Sequence, residues 1–162
     1  MTKIIAFGDI HGHTHNLLGL MPKIEGSDVA IFLGDGEATL EVLPYSLAKK
    51  IFAVRGNCDM FSGLPTELLL EIEGKRILVT HGHLYHVKSG RGAIIKATTE
   101  QKADIALFGH THHSQEFREG STLFINVPPL GTSRTDEGGS FLEMTIDKGK
   151  ITHRFCKLEQ PF

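Results

Sequence analysis

Five short apolar runs, each stopped by a cluster of polar residues with a glycine among them, constrain this chain more than any other feature: KIIAFGDIHGH, DVAIFLGDGE, IFAVRGNCD, RILVTHGH and DIALFGHTHH. Four to six consecutive apolar residues bounded by glycine read as a strand buried on both faces, and such strands belong to sheets covered by helices. Helix-patterned stretches lie between them. Residues 13–24 carry Leu17, Leu18, Leu20 and Met21 at helical spacing, with Gly19 and Pro22 opposing the second half. Residues 38–50 carry Leu40, Val42, Leu43 and Leu47 around Pro44, which predicts a kink or an early stop. Residues 92–102 present Ala93, Ile94, Ile95 and Ala97 as one apolar face.

From about Ser121 the pattern changes. TLFINV, SFLEMTID and KITHRFCKLE read as strands, the last two joined by a turn at Asp147-Lys148-Gly149-Lys150, a β-hairpin signal. An α/β first part followed by antiparallel strands predicts two sheets packed face to face with helices outside, although periodicity alone leaves the layering open.

The 162 residues fit one domain, with no linker, internal repeat or low-complexity segment. With 40% apolar and 22% charged residues the chain reads as globular rather than disordered. No run approaches the roughly 20 apolar residues that cross a bilayer, and no secretory signal is visible, so a cytoplasmic protein without a membrane partner is expected. The 17 basic residues form no dense block, which argues against nucleic acid as a partner. Two cysteines far apart in such a chain are expected to be free thiols. Of ten histidines, nine fall in three neighbourhoods, 11–15, 81–86 and 110–113.

Polar residues at the carboxyl ends of parallel strands gather on one rim of a sheet, where α/β folds place their sites. That rim would collect Asp9, His11, Asp35, Asn57, His81, His110 and His112. Imidazole with carboxylate suits divalent manganese, iron, nickel, cobalt or zinc. Seven ligands exceed what one ion needs. A bridging carboxylate would let two ions sit roughly 3.5 to 4 Å apart, the spacing that clamps an in-line displacement at phosphorus. Gly8, Gly34, Gly56 and Gly109 each precede a candidate ligand, as expected if backbone must approach the ions closely.

The order GDIHGH, GDGE, GNCD, HGH and GHTH resembles the calcineurin-like metallophosphoesterases from Asp9 to about Arg134. The short length and the Cys form of the third motif are similar to the small prokaryotic phosphodiesterase branch. This resemblance implies an α/β/β/α sandwich without a cap domain. It also implies one ion held by Asp9, His11, Asp35 and His112, and a second held by Asp35, Asn57, His81 and His110. Manganese is expected first, with nickel, cobalt, zinc, iron or magnesium as alternatives. FINVPPLGTSR is similar to a turn of that branch, but its prolines are shifted, which leaves Asn126 and Arg134 without an assigned role.

The implied reaction is attack by a metal-bridging hydroxide on a small phosphodiester, in line with the leaving group. Many relatives carry a histidine in place of Cys58, paired with the following acid, so Asn57, Cys58 and Asp59 form the expected catalytic segment. A thiol is a weaker acid catalyst than an imidazolium. Cys58 is thus either a poor proton donor or only a small packing group, and Asp59 either orients a neighbour or caps the next segment. His83 and His113 are the candidates to contact phosphate, with His13, His15 and His86 flanking them. His153 and Cys156 look structural. The competing functions are a phosphomonoesterase on nucleotides or phosphoproteins, for which Arg91 and Arg134 are the candidate cations, a nuclease, and a non-catalytic scaffold like the retromer subunit of this fold. Exposed sheet edges would permit a homo-oligomer.

Overall fold

The apolar runs become strands whose alternate residues face two different cores. In the computed structural model, which describes residues 1–131 and 137–159, one sheet has the order β10-β9-β1-β2-β3, formed by Lys150–Lys157, Ser140–Asp147, Thr2–Phe7, Val29–Phe32 and Ile51–Ala53. The second has the order β4-β5-β6-β8-β7, formed by Glu67–Ile72, Lys75–Thr80, Ile105–Phe108, Thr122–Asn126 and Gln115–Glu119. In β1, Ile4 and Ala6 enter a core between the sheets with Ile77, Val79 and Leu107 of the second sheet. Ile5 and Phe7 point the other way and pack with Leu17, Leu20 and Ile24 of helix α1 (Thr14–Glu25). Leu78, Ala106 and Phe124 of the second sheet meet Ile94 of α3 (Gly92–Glu100). The layers are therefore α/β/β/α, and where inner strands are covered on both faces, as in β1, β2 and β6, their sequences are runs of apolar residues.

Helix α1 runs through Gly19 and Pro22 to Glu25, because burial of its Leu17, Leu20 and Ile24 stripe outweighs the weak positions. The expected interruption at Pro44 is present: a 3₁₀ segment, Glu37–Val42, ends before it, and the short α2 (Tyr45–Ala48) begins after it. Leu43 is extended, as a residue before proline prefers. In α3 the buried residues are Ile94 and Thr98; Ala93, expected on the apolar face, is exposed.

Two strands were not expected, β4 and β7. Each opens a hairpin with a two-residue loop, Glu73-Gly74 before β5 and Gly120-Ser121 before β8. Glu73, Gly74 and Gly120 all have positive φ, as such loops require, and the hairpin expected at Lys148-Gly149 follows the same rule. The two cysteines are free. The His153 ring meets the Glu116 carboxylate, tying edge strand β10 to edge strand β7, a structural role as expected. No helix among the described residues is long and apolar enough to cross a membrane. Arg134 lies outside the described residues.

Candidate metal centre

Each expected ligand stands just past the end of a parallel strand, but the strands belong to two sheets. Asp9 follows β1, Asp35 follows β2 and Asn57 follows β3, all in the first sheet, whereas His81 follows β5 and His110 follows β6 in the second. The site therefore sits on a rim shared by both sheets. The strand-end loops are joined by backbone bonds: the Asp9 N–H donates to Gly34 O at 2.8 Å, Ile10 N–H to Asp35 O at 2.8 Å, and Gly109 N–H to His81 O at 3.0 Å.

Five of the seven residues, Asp9, His11, Asp35, His110 and His112, hold φ between 47° and 72°. This left-handed conformation costs non-glycine residues roughly 1 kcal/mol or more each and concentrates at functional sites. Glycines make room for it. A Cβ on Gly34 would stand 2.5 Å from Gly56 N, one on Gly109 would stand 2.9 Å from Asp9 Oδ2, and one on Gly56 would overlap Asp35 Oδ1. The clearance at Gly56 and Gly109 is thus taken up by the carboxylates themselves.

The side chains form three overlapping groups, one of which joins His11 and Asp35 to the Cys58 thiol; the other two contain only carboxylate and imidazole. Asp9, His11 and His112 bring one ligand atom each within 4.8 Å of one another, and so do Asp35, His81 and His110. Asp35 Oδ2 lies between them, 3.8 Å from His11 Nε2 and 3.2 Å from His81 Nε2. Asn57 Oδ1 joins the second group at 3.1 Å from His81 Nε2. His81 Nδ1 lies 2.8 Å from the Leu33 carbonyl, which can only accept, so Nδ1 carries a proton and Nε2 is turned to the cluster.

One atom identifies what the cluster is built to hold. Asp9 Oδ1 is buried without a hydrogen-bond donor, yet it faces His112 Nε2 at 3.5 Å, His11 Nε2 at 3.7 Å and His81 Nε2 at 3.9 Å. A buried carboxylate oxygen left unpaired costs several kcal/mol unless a cation sits beside it. Its surroundings fit a divalent ion. Burial alone would raise the Asp9 carboxyl, but the facing His11 and His112 imidazoles and the charge of His81 hold it below the usual range. For Asp35 burial is likewise outweighed, by His81 and by the Cys58 N–H that donates to Oδ1 at 2.8 Å. Burial and the His81 charge push His110 down to about 4, so it is neutral and able to ligate near pH 7.

The residues around the ligands divide by task. Asp59 takes up four backbone N–H groups: those of Asp35 and Gly56 donate to Oδ2 at 2.8 Å, and those of Gly36 and Glu37 donate to Oδ1 at 2.8 and 3.0 Å. It clamps the loop after β2 to the loop after β3, and because these donors all precede it in the chain it does not cap the next segment as expected. Cys58 is exposed, which removes the reading of it as a buried packing group. Partial desolvation and Asp35 push its thiol above the ordinary range, so it is protonated and no nucleophile. The His83 ring lies tilted against that of His81, centroids 5.3 Å apart, and its buried Nδ1 has no hydrogen-bond partner. His113 pairs with Glu137 at 3.4 Å. Asn126 is buried and donates to Thr111 between the two histidines of GHTH, a role that its departure from the family turn had left unassigned.

Residues 2–149 match the model of the calcineurin-like phosphoesterase superfamily domain. A probable metallophosphoesterase of Bacillus subtilis, YsnB, is 30% identical over 157 residues, covering 94% of this chain and 89% of the relative. Phosphodiesterase YfcE of Escherichia coli is 28% identical, covering 86% of this chain and 84% of the relative. Among solved structures, a predicted phosphoesterase of Streptococcus pneumoniae superposes with a TM-score of 0.81 at 26% identity, covering 96% of this chain and 89% of that one. Vps29 of Entamoeba histolytica, complexed with Zn²⁺, superposes with a TM-score of 0.73 at 19% identity over 97% and 99% of the two chains, a likeness of fold alone. The strand-end cluster thus sits in a fold and a sequence shared with metal-dependent phosphoesterases, and the chain belongs to the calcineurin-like phosphoesterase superfamily.

Proposed function

We propose that this protein is a dinuclear metal-dependent phosphodiesterase acting on small phosphodiesters. The observation that carries the reading is the unpaired Asp9 Oδ1 facing three imidazoles, with Asp35 set between two ligand groups. On this reading Asp9, His11, Asp35 and His112 hold one ion, and Asp35, Asn57, His81 and His110 hold the other, manganese being the first choice. Two bound ions supply Lewis acidity toward the phosphoryl oxygens and an activated water at neutral pH. His83, beside His81, is the residue expected to contact a phosphoryl oxygen, and His113 is already engaged by Glu137.

Diesters are favoured over monoesters because a monoester brings an extra charge and Arg91 does not answer it. Its guanidinium stacks 4.0 Å over the Phe117 ring instead. Nucleic acid is disfavoured by the scattered basic residues. A scaffold role is supported by the fold alone, whereas every ligand-type residue that a hydrolase needs is present.

The test is metal stoichiometry together with hydrolysis of bis(p-nitrophenyl) phosphate by manganese-loaded protein. We expect two ions per chain, and an Asp35→Asn protein that retains fewer ions and loses at least about a hundredfold in rate. Wild-type protein that hydrolyses no aryl diester, or Asp35→Asn protein at full rate, would sink the reading.

A further inference from the structure

An open cleft of about 790 Å³ begins at His11, Asp35 and Cys58 and runs away from the ligand cluster between the 3₁₀ segment and the loop after β3. Three properties of its walls bear on what could occupy it. Leu40, Ala53, Met60, Phe61 and Leu64 make it apolar along its length. The charged groups beyond the reactive end are the carboxylates of Glu37, Glu41 and Asp59, and no Lys or Arg lines it. Asp59 is already engaged by four backbone N–H groups, whereas Glu37 is half-buried and Glu41 exposed.

The loop at the mouth is held in an unusual shape. Phe61 has φ 62°, a conformation a bulky residue rarely adopts, and its side chain is fully exposed at 101%, beside Met60 at 73%. The loop is not slack: Met60 N–H donates to Cys58 O at 3.1 Å, Leu64 N–H to Ser62 Oγ at 3.0 Å, and Arg55 N–H to Pro65 O at 2.9 Å. Two large apolar side chains presented to water by a hydrogen-bonded loop, at the end of an apolar cleft that opens onto the metal-ligand cluster, have no packing purpose in the chain itself.

We propose that this cleft is the subsite for one organic substituent of the phosphodiester, that it takes an uncharged aromatic or comparably apolar group, and that Glu37 and Glu41 turn away substituents carrying a second anion. Met60 and Phe61 cover the substituent from the mouth, while Leu40, Ala53 and Leu64 form the wall. The inference rests on the phosphodiesterase reading and adds to it a substrate class: diesters with an apolar ring beside phosphorus, rather than nucleoside polyphosphates or oligonucleotides. Like charge against a half-buried carboxylate is the rejecting element, and ring burial the attracting one.

Phosphonates test this without assigning which ester bond breaks, because each carries one organic group and is not hydrolysed. Calorimetric titration of manganese-loaded protein compares methylphosphonate, phenylphosphonate and p-carboxyphenylphosphonate. Wild type should bind phenylphosphonate about tenfold tighter than methylphosphonate, the size expected for half-burying a ring. The added carboxylate should cancel most of that gain. Met60→Ala/Phe61→Ala should remove the phenyl preference, and Glu37→Gln/Glu41→Gln should restore binding of the carboxylated ligand, both with methylphosphonate affinity and metal content unchanged. Equal affinities for the three ligands in wild type, or preferences unmoved by the two double variants, overturn the subsite. If diester hydrolysis is intact in that case, the phosphodiesterase reading stands and only the cleft assignment falls. Failure to bind any phosphonate together with failure to hydrolyse any diester removes both.

Discussion

Asp59 shows how much one side chain contributes when its partners are backbone. Its two oxygens collect the N–H groups of residues 35, 36, 37 and 56, so it positions Asp35 and the loop bearing Asn57 together. Asp59→Ala leaves four donors without that acceptor and should cost about 2–4 kcal/mol by urea unfolding. Asp59→Asn should recover less than half of this, because its NH₂ group meets N–H donors; full recovery would show that charge and acceptor number are irrelevant. Cys58 is legible in another way. Its protonated, exposed thiol beside Asp35 is a poor proton donor to a leaving alkoxide. Cys58→His should flatten the dependence of rate on leaving-group pKa across a series of aryl and alkyl diesters, and identical relative rates in both proteins would refute that role. The motif spacing named the residues that the fold gathers into one cluster and marked Asp59, but not its role, since its partners are backbone atoms of residues 35, 36, 37 and 56.

At the scale of elements, the loops after β2 and β3 pass so close that only glycine fits at the crossing. Gly56→Ala places a methyl on Asp35 Oδ1, while Gly63, six residues past Asn57 in the mouth loop, has nothing within 4 Å of an added Cβ. Gly56→Ala should therefore lower the melting temperature by several degrees and the metal content below that of wild type, and Gly63→Ala should change neither. A Gly56→Ala protein with unchanged metal content would mean that the crossing is softer than its distances imply. The inner strands β1, β2, β5 and β6, with three to five apolar residues in a row, were readable because both faces are covered. Strands β4 and β7 were not, since they are edge strands with mixed patterns, ELLLEI and QEFRE. Their hairpin loops carried the signal instead, as Glu73-Gly74 and Gly120-Ser121.

For the whole molecule, Glu143 of β9 is the test of electrostatics away from the metal centre. It accepts from Arg154 Nε at 2.6 Å and lies 3.6 Å from Lys3 Nζ and 3.7 Å from Lys23 Nζ, linking β10, β1 and α1. Burial opposes its charge, but Arg154 and the two lysines outweigh burial and hold its carboxyl below the usual range. A depressed pKa in the folded state stabilises above the unfolded-state value and is lost as pH falls through the folded value. Glu143→Gln should therefore be less stable than wild type at pH 7, and the gap in melting temperature should close as pH drops below the ordinary glutamate range. A gap that stays constant with pH would assign the loss to packing. The sequence by itself determined which residues could bind metal, which runs are doubly covered strands and where the chain breaks at Pro44, because each follows from local chemistry and spacing. Only the tertiary structure decided that Asp9, Asp35 and Asn57 come from one sheet and His81 and His110 from the other. Periodicity reports which face of a strand is buried, not which sheet covers it, and the cleft walled by Leu40, Leu64 and Phe61 exists only once the two strand-end loops are clamped together.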